Sequence, residues 1–590
     1  MKHISIILIA LMSSLALWAQ NDSFEQFRRQ QQAGFNQFKQ DRQAEFDAFR
    51  KRINEQYAAM MEKQWEAFHG KEQPVPEEPK IAPVKYEEPA PAPVKNTPAT
   101  APAPVKKDEH GQQQQQQLQQ KQQQQQQLQQ QQDKQQQQQD KQQQQQLQQQ
   151  QDKQQQQQDK QQQQQAVTPK PAPQPAPQPA PQPVQEPVQE PKAEDKPIAV
   201  QPVVAVVPEA EPAPEPIAPV EVKEDEPFKT ANLSFYGTPV KIGWPDPDGF
   251  KLGGLDEKQL AAAWKQFSDS RYDVTINNAL AARKELNLCD WAYLRLIQQA
   301  AEQHYGKTNE AVFAEVFLLT QSGYRVRMAY GNNKLHLLIA SNYDIFSMPY
   351  FTIDGHKFYA VEGHAKDLHI CAAAYEKEKN LSLQIAQVQK LASKPTQKRT
   401  LTSKKGLTAS VSVNNNLIDF FNKYPQACLS GDQTTRWAAY ANTPIENSVK
   451  APLYKQLKNT IGDLPEKEAV GVLLNWVQTA FVYEYDDKVW GGDRAFFAQE
   501  TLYYPYCDCE DRSILFSRLV RDLVGLDVVL LYYPGHLATA VAFKEDVKGD
   551  YLTYKNQKYV VCDPTYINAP VGRTMPGMDN NKAKVIALKK

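Results

Sequence analysis

The sequence predicts an α+β protein held on a long, non-globular N-terminal stalk. Three observations lead there. From residue 227 onward, apolar residues recur first at helical spacing and then in strand-like alternation within the same stretches. Residues 70–226 are so rich in proline and glutamine that they cannot bury a core. Residues 22–69 carry an aromatic residue at every eleventh position.

Taken in order, the chain opens with MKHISIILIALMSSLALWA, a basic start, an apolar stretch and a small-x-small ending at Leu17-Trp18-Ala19. This reads as a signal peptide spanning residues 1–19, so the mature protein is expected to be exported, to the periplasm or the medium. The competing reading, a membrane anchor, needs about 20 apolar residues. No later stretch is long and apolar enough to span a bilayer, so no transmembrane segment is expected. Formal net charge is −1, from 67 basic and 68 acidic residues. No global field therefore favours nucleic acid, and no nucleic-acid partner is expected.

The aromatic repeat runs through Phe24, Phe35, Phe46, Tyr57 and Phe68, with Phe27, Phe38, Phe49 and Met60 three places after the first four. Eleven residues is about 3.67 per turn, which predicts one apolar stripe along a helix over 22–69. Asp22 with Glu25, or Ser23 with Gln26, supplies a capping box. A single seam on a charged helix needs a partner surface. Self-association as a coiled coil is the first expectation, with docking on another protein or a membrane surface as the rival. Residues 70–226 then form a linker: APVK repeats, a glutamine tract over 112–165, and a second proline-rich stretch. The last of these, extended at about 3.1 Å per residue, reaches on the order of 190 Å.

Residues 227–415 predict an α+β domain. LDEKQLAAAWKQF, 290–304 and 309–321 have helical spacing. YRVRMAY, KLHLLIA and KFYAVE alternate as strands, separated by turn residues, and LSLQIAQV and TASVSV read as two further strands. His336, His356, His364 and His369 follow no ligand spacing, so structural or surface roles are expected and no metal is assigned. A recognition or docking module is the natural use of this region.

Residues 416–590 hold the chemistry. An amphipathic helix over 465–482 leads into the aromatic loop YEYDDKVWGGDRAFFAQETLYYPY, and then into CDCEDRSILF. Asp508 predicts an N-cap, and Asp511 can reach back to complete it. Cys509 then heads the helix at the positive end of its dipole, which is expected to favour a thiolate. Cys507 lies before the cap without that advantage. A thiol nucleophile needs a base and the base an orienter. DVVLLYY, then HLATAVAF opening on His536, then KYVVCDPTY, a strand ending at Asp563 and stopped by Pro564, predict antiparallel strands that can set imidazole beside carboxylate.

The ordered set DCEDRSILFSRLVRDLVGL, PGHLATAV and CDPTY resembles the core of the transglutaminase-like superfamily, over roughly residues 450–575. The resemblance implies a papain-like domain, a helix packed on an antiparallel sheet. It also implies acyl transfer from a peptide or protein amide. Cys509 would attack and form a thioester, His536 would serve as base and then acid, and Asp563 would orient it. Trp490 is the candidate side-chain oxyanion donor, and no cofactor is implied. Leu537 and Ala538 stand where aromatic residues often follow the family's histidine. No acidic loop matches the calcium-binding insertions of animal crosslinking enzymes. Exported bacterial members of the superfamily are more often peptidases or amidases than crosslinkers, so hydrolysis is the expectation.

Three rivals stand beside it: an inactive fold used as a tethered binding module, a zinc site built from Cys507, Cys509, His536 and Cys562, and a disulfide from Cys509 to Cys507 or Cys562.

Overall fold

A computed structural model describes residues 2–75, 81–86, 195–198, 200–204, 212–218, 220, 229–244, 250–362 and 366–589, with backbone only at 2–28, 35, 201–204 and 229. The chain divides into two units, Met1–Glu88 with Pro191–Lys590, and Pro89–Glu190. Every described residue belongs to the first. The glutamine tract and the bulk of the linker lie outside the described residues, as do the signal-segment side chains and His364. Among the described residues, no helix is long and apolar enough to cross a membrane.

The fold is mixed α+β, with helices packed on two seven-stranded sheets. The first sheet runs, edge to edge, through Trp65–His69, Asp367–Cys371, Val326–Gly331, Lys334–Ala340, His356–Ala360, Pro349–Ile353 and Lys71–Glu72. Its pairs are antiparallel, and both faces are covered. That explains the short, nearly continuous apolar runs in its strands. Helices Glu257–Ser268, Asp290–Tyr305 and Asn309–Gln321 stand where helical spacing foretold them.

The aromatic repeat corrects one expectation. The N-terminal helix runs Lys2–Met61, straight through the start expected at residues 22–26, and Phe68 stands in the Trp65–His69 strand, opposite Leu368. An open sheet edge offered backbone hydrogen bonds that a further helical turn could not match. The last turns of the helix are swallowed by the globular core, with Tyr57, Ala58 and Met61 all buried. Tyr57 stacks on Tyr375, with ring centroids 4.5 Å apart, and packs equally close to Trp264. Beside it, Asn54 is fully buried. Its Oδ1 accepts from Trp264 Nε1 (3.2 Å), Gln321 Nε2 (2.6 Å) and Tyr375 Oη (3.1 Å). Upstream, Phe38 and Phe49 remain exposed.

The linker is likewise not wholly free of structure. Lys71–Glu72, Lys196–Pro197 and Gln201–Val204 each close an edge of a sheet. Prolines survive there because an edge strand leaves one row of N–H groups unused. Residues 381–388, expected as a strand, make only an isolated bridge. Part of the basic stretch beyond them forms a strand, Arg399–Thr402, paired with Thr408–Val411.

The second sheet runs Lys196–Pro197, Asp550–Tyr554, Gln557–Cys562, His536–Ala542, Asp527–Tyr533, Lys584–Ala587 and Gln201–Val204. Its central strand, His536–Ala542, is buried at every position. The Cys509–Leu523 helix packs across it, with Glu466–Ala480 behind. The two regions meet without a seam. Tyr343–Ile345 pairs with Ala427–Leu429, and one buried apolar cluster continues from Tyr57 to Ile586.

Candidate active site

Cys509 is the first residue of its helix. The Asp508 carboxylate accepts from the amides of Glu510 (3.1 Å) and Asp511 (3.3 Å), and Asp511 Oδ2 accepts from the Asp508 amide (3.2 Å). This reciprocal cap holds the helix start in one conformation. Asp511 Oδ1 also accepts from the Phe496 amide at 2.8 Å, tying the aromatic loop to the helix. One turn further on, Ser513 donates to the Leu537 carbonyl at 2.8 Å and clamps the helix to the His536 strand.

His536 opens one strand, and Asp563 stands one residue past the end of its antiparallel neighbour, Gln557–Cys562. The register pairs Thr539 with Cys562, and the Thr539 hydroxyl donates to the Cys562 carbonyl at that crossing. His536 Nε2 lies 2.9 Å from Asp563 Oδ2. Asp563 Oδ1 accepts from the amides of Thr565 (2.8 Å) and Tyr566 (3.2 Å), so the carboxylate cannot swing away. A carboxylate accepts only, so Nε2 carries the proton and Nδ1 is left as the basic nitrogen. Nδ1 is buried, with no hydrogen-bonding partner among the described residues. The backbone of Leu537, the next residue, hydrogen-bonds to the Cys509 sulfur and favours its charged form, and the sulfur also feels the Asp563 charge. His536 and Asp563 are in contact, Cys509 stands on the helix that packs against the His536 strand, and all three side chains are buried.

One electrostatic expectation is overturned. Burial first, and the charges of Asp508 and Glu510 next, push the Cys509 thiol well above its ordinary range. A helix dipole acts over one turn and is outweighed where the same turn is buried and carries three carboxyl groups. Cys509 therefore rests as a thiol. Burial, ahead of every other cause, pushes Cys507 up too, and its sulfur points to the Val482 carbonyl 3.7 Å away.

Trp490 is not brought to this centre. Its ring contacts are made within its own loop, to Phe496 and Tyr504 and under the Arg494 guanidinium. Another residue, Tyr483, pairs with Cys507 two places before the nucleophile candidate. Burial, with the Cys509 and Asp508 charges after it, raises the Tyr483 hydroxyl far above a phenol's usual range. Sequence pattern passed over Tyr483 because one tyrosine among several in an aromatic loop carries no spacing signal.

Two further supports were also missed. Gln478 Nε2 donates to the carbonyls of Asp563 (3.0 Å), Tyr566 (2.8 Å) and Ala569 (3.1 Å), shaping the turn after the carboxylate. Arg436, fully buried, donates to Asp493 (2.6 Å) and Glu510 (3.3 Å). Asp486, Asp493 and Glu510 are the group of ligating side chains that converges among the described residues, with oxygens within 4.8 Å of one another. The Arg436 guanidinium already supplies that group with a positive charge. Cys507, Cys509, His536 and Cys562 form no such group among the described residues, and all six thiols are free. His336 is half-buried, His356 lies against Arg325, and His369 stacks on Tyr330.

No family model matches this chain, and no curated protein matches it.

Proposed function

We propose that this is an exported transglutaminase-like protein that uses Cys509 as the nucleophile of a cysteine-dependent acyl transfer, with hydrolysis of a peptide or protein amide as its ordinary outcome. The observation that carries the reading is the His536 ring. One nitrogen is locked to a fixed carboxylate, and the other is buried and unpartnered at the start of a strand on which the capped, Cys509-headed helix packs. A structural histidine ordinarily satisfies both nitrogens.

The chemistry follows from that geometry. His536 Nδ1 takes the Cys509 proton as the sulfur attacks the amide carbonyl carbon, and the imidazolium is stabilised by Asp563. The tetrahedral adduct collapses with loss of the C–N bond. The departing amine takes the proton from Nδ1 and leaves a thioester on Cys509. Water, deprotonated by the same nitrogen, attacks the thioester and the acid is released as the thiol re-forms. An amine in place of water would give transfer. Because the resting thiol is neutral, base and nucleophile act together during the attack.

The apolar start at residues 1–19 supports export, and the exposed aromatic seam on the N-terminal helix supports self-association there. The complete burial of the three site residues favours a second reading, a tethered binding module without turnover.

A small activated ester, p-nitrophenyl acetate, separates the two. The parent chain and Cys507→Ser gain an acetyl group detectable by intact mass, whereas Cys509→Ser and His536→Ala do not. Equal acetylation of all four chains, or none in the parent, removes the enzyme reading.

A further inference from the structure

Residues 81–86, Ile-Ala-Pro-Val-Lys-Tyr, belong to the linker yet lie against the candidate site. Three other linker segments close sheet edges, whereas this one closes none, as is true of residues 212–218 against Gln321 and Gly323. Residues 81–86 pair instead with the loop that follows Asp563. The Ile567 amide donates to the Val84 carbonyl at 2.8 Å, and the Tyr86 amide donates to the Ile567 carbonyl at 2.6 Å, a parallel bridge centred on Lys85. At its other end, Tyr483 Oη donates to the Ile81 carbonyl at 2.6 Å. The Ile81 side chain lies 3.5 Å from where a Cβ on Gly535 would stand. Tyr86 meets Tyr566 edge-on, with centroids 5.9 Å apart, and the two anchors join a small apolar cluster with Ala569 and Met575.

Each contact falls beside one member of the site. Gly535 immediately precedes His536, Tyr566 and Ile567 follow Asp563, and Tyr483 pairs with Cys507, two residues before Cys509. We infer that this face is a peptide-binding cleft for extended, proline-containing segments with an apolar anchor at the Gly535 end and an aromatic anchor at the Tyr566 end, and that residues 81–86 occupy it in cis. Recognition works by backbone pairing plus two side-chain anchors, as when a strand is added to a protein surface. Pro83 holds Ala82 in the extended region, so the segment loses little freedom on docking. Val84 and Lys85 face solvent and are left unread. The tetrapeptide APVK recurs at 92–95 and 103–106, but proline precedes both copies, and asparagine and lysine follow them. Only the first copy carries both anchors.

The chemistry of this cleft rests on the acyl-transfer reading above, whereas its occupancy does not. In the full chain, Ile81→Asp/Tyr86→Pro removes one anchor, the other anchor and one bridge hydrogen bond. Iodoacetamide then alkylates Cys509 at least about tenfold faster than in the parent, because a docked segment protects only while it is closed. The milder Ile81→Ser variant is faster than the parent by a smaller factor, and provides the readout should the double variant lose its fold. Added acetyl-IAPVKY-amide slows the labelling of the double variant saturably, while acetyl-PAPVKN-amide does not. A parental labelling rate in both variants, or equal protection by the two peptides, overturns the inference. Fluorescein-labelled IAPVKY also binds the double variant carrying Cys509→Ser. Binding there, when the double variant with Cys509 intact is not acetylated by p-nitrophenyl acetate, leaves the cleft standing and removes the enzyme.

Discussion

Single residues carry most of the electrostatic tension in this molecule. Glu315 is buried in the Asn309–Gln321 helix. One carboxyl oxygen accepts from Gln298 Nε2 at 3.3 Å, and the other has no partner among the described residues. Burial, helped by the Glu362 charge, raises its carboxyl from the ordinary 4.5 to about 8. The folded chain therefore keeps a proton that the unfolded chain releases, and stability falls as pH rises from about 4.5 to about 8. Glu315→Gln is expected to flatten that slope in chemical denaturation and to stabilise the fold at pH 8 by ~2 kcal/mol, with no gain at pH 4. Nothing in the spacing of EAVFAEVFLLTQ separates this glutamate from an exposed one. The capping roles of Asp508 and Asp511, by contrast, are legible because a cap is decided by residues within one turn.

Elements are held by polar clamps as much as by apolar contact. Arg436 in the Thr434–Asn442 helix joins Asp493 of the aromatic loop to Glu510 of the Cys509 helix, and all three side chains are out of water. Removing the cation leaves two buried carboxylates facing each other. Arg436→Met is expected to cost about 3–5 kcal/mol in urea unfolding, and Arg436→Lys, which cannot fork to two partners, recovers only part of it. The same logic explains which elements could be read in advance. Helices with one apolar stripe and strands bounded by turn residues were visible. The Arg399–Thr402 strand was not, because a basic run becomes a strand only when the Thr408–Val411 partner lies beside it.

At the scale of the molecule, the N-terminal helix serves two ends. Its last turns are core, and its upstream seam is exposed. Tyr57→Ala is expected to cost about 3–5 kcal/mol, as for other large buried aromatics, and to lower the thermal midpoint at every protein concentration. Phe38→Glu/Phe49→Glu is expected to leave that midpoint unchanged at low concentration while abolishing concentration-dependent association in sedimentation. The eleven-residue period showed the helix and its stripe. It could not show that one end of the stripe is covered by Trp264 and Tyr375, more than two hundred residues away in sequence.

Some local chemistry was legible in the order of residues alone: that a thiol would head a helix capped by Asp508 and Asp511, and that a histidine and an aspartate would stand on or just past strands able to adjoin. These depend on neighbours within a turn or a hairpin. Folding in three dimensions decided the rest. Burial and nearby carboxylates reversed the expected charge of Cys509, Trp490 stayed within its own loop, and a stretch of linker came to lie against Tyr483, Gly535 and Ile567. Desolvation and long-range contact depend on which distant surfaces meet, and no periodicity along the chain records that.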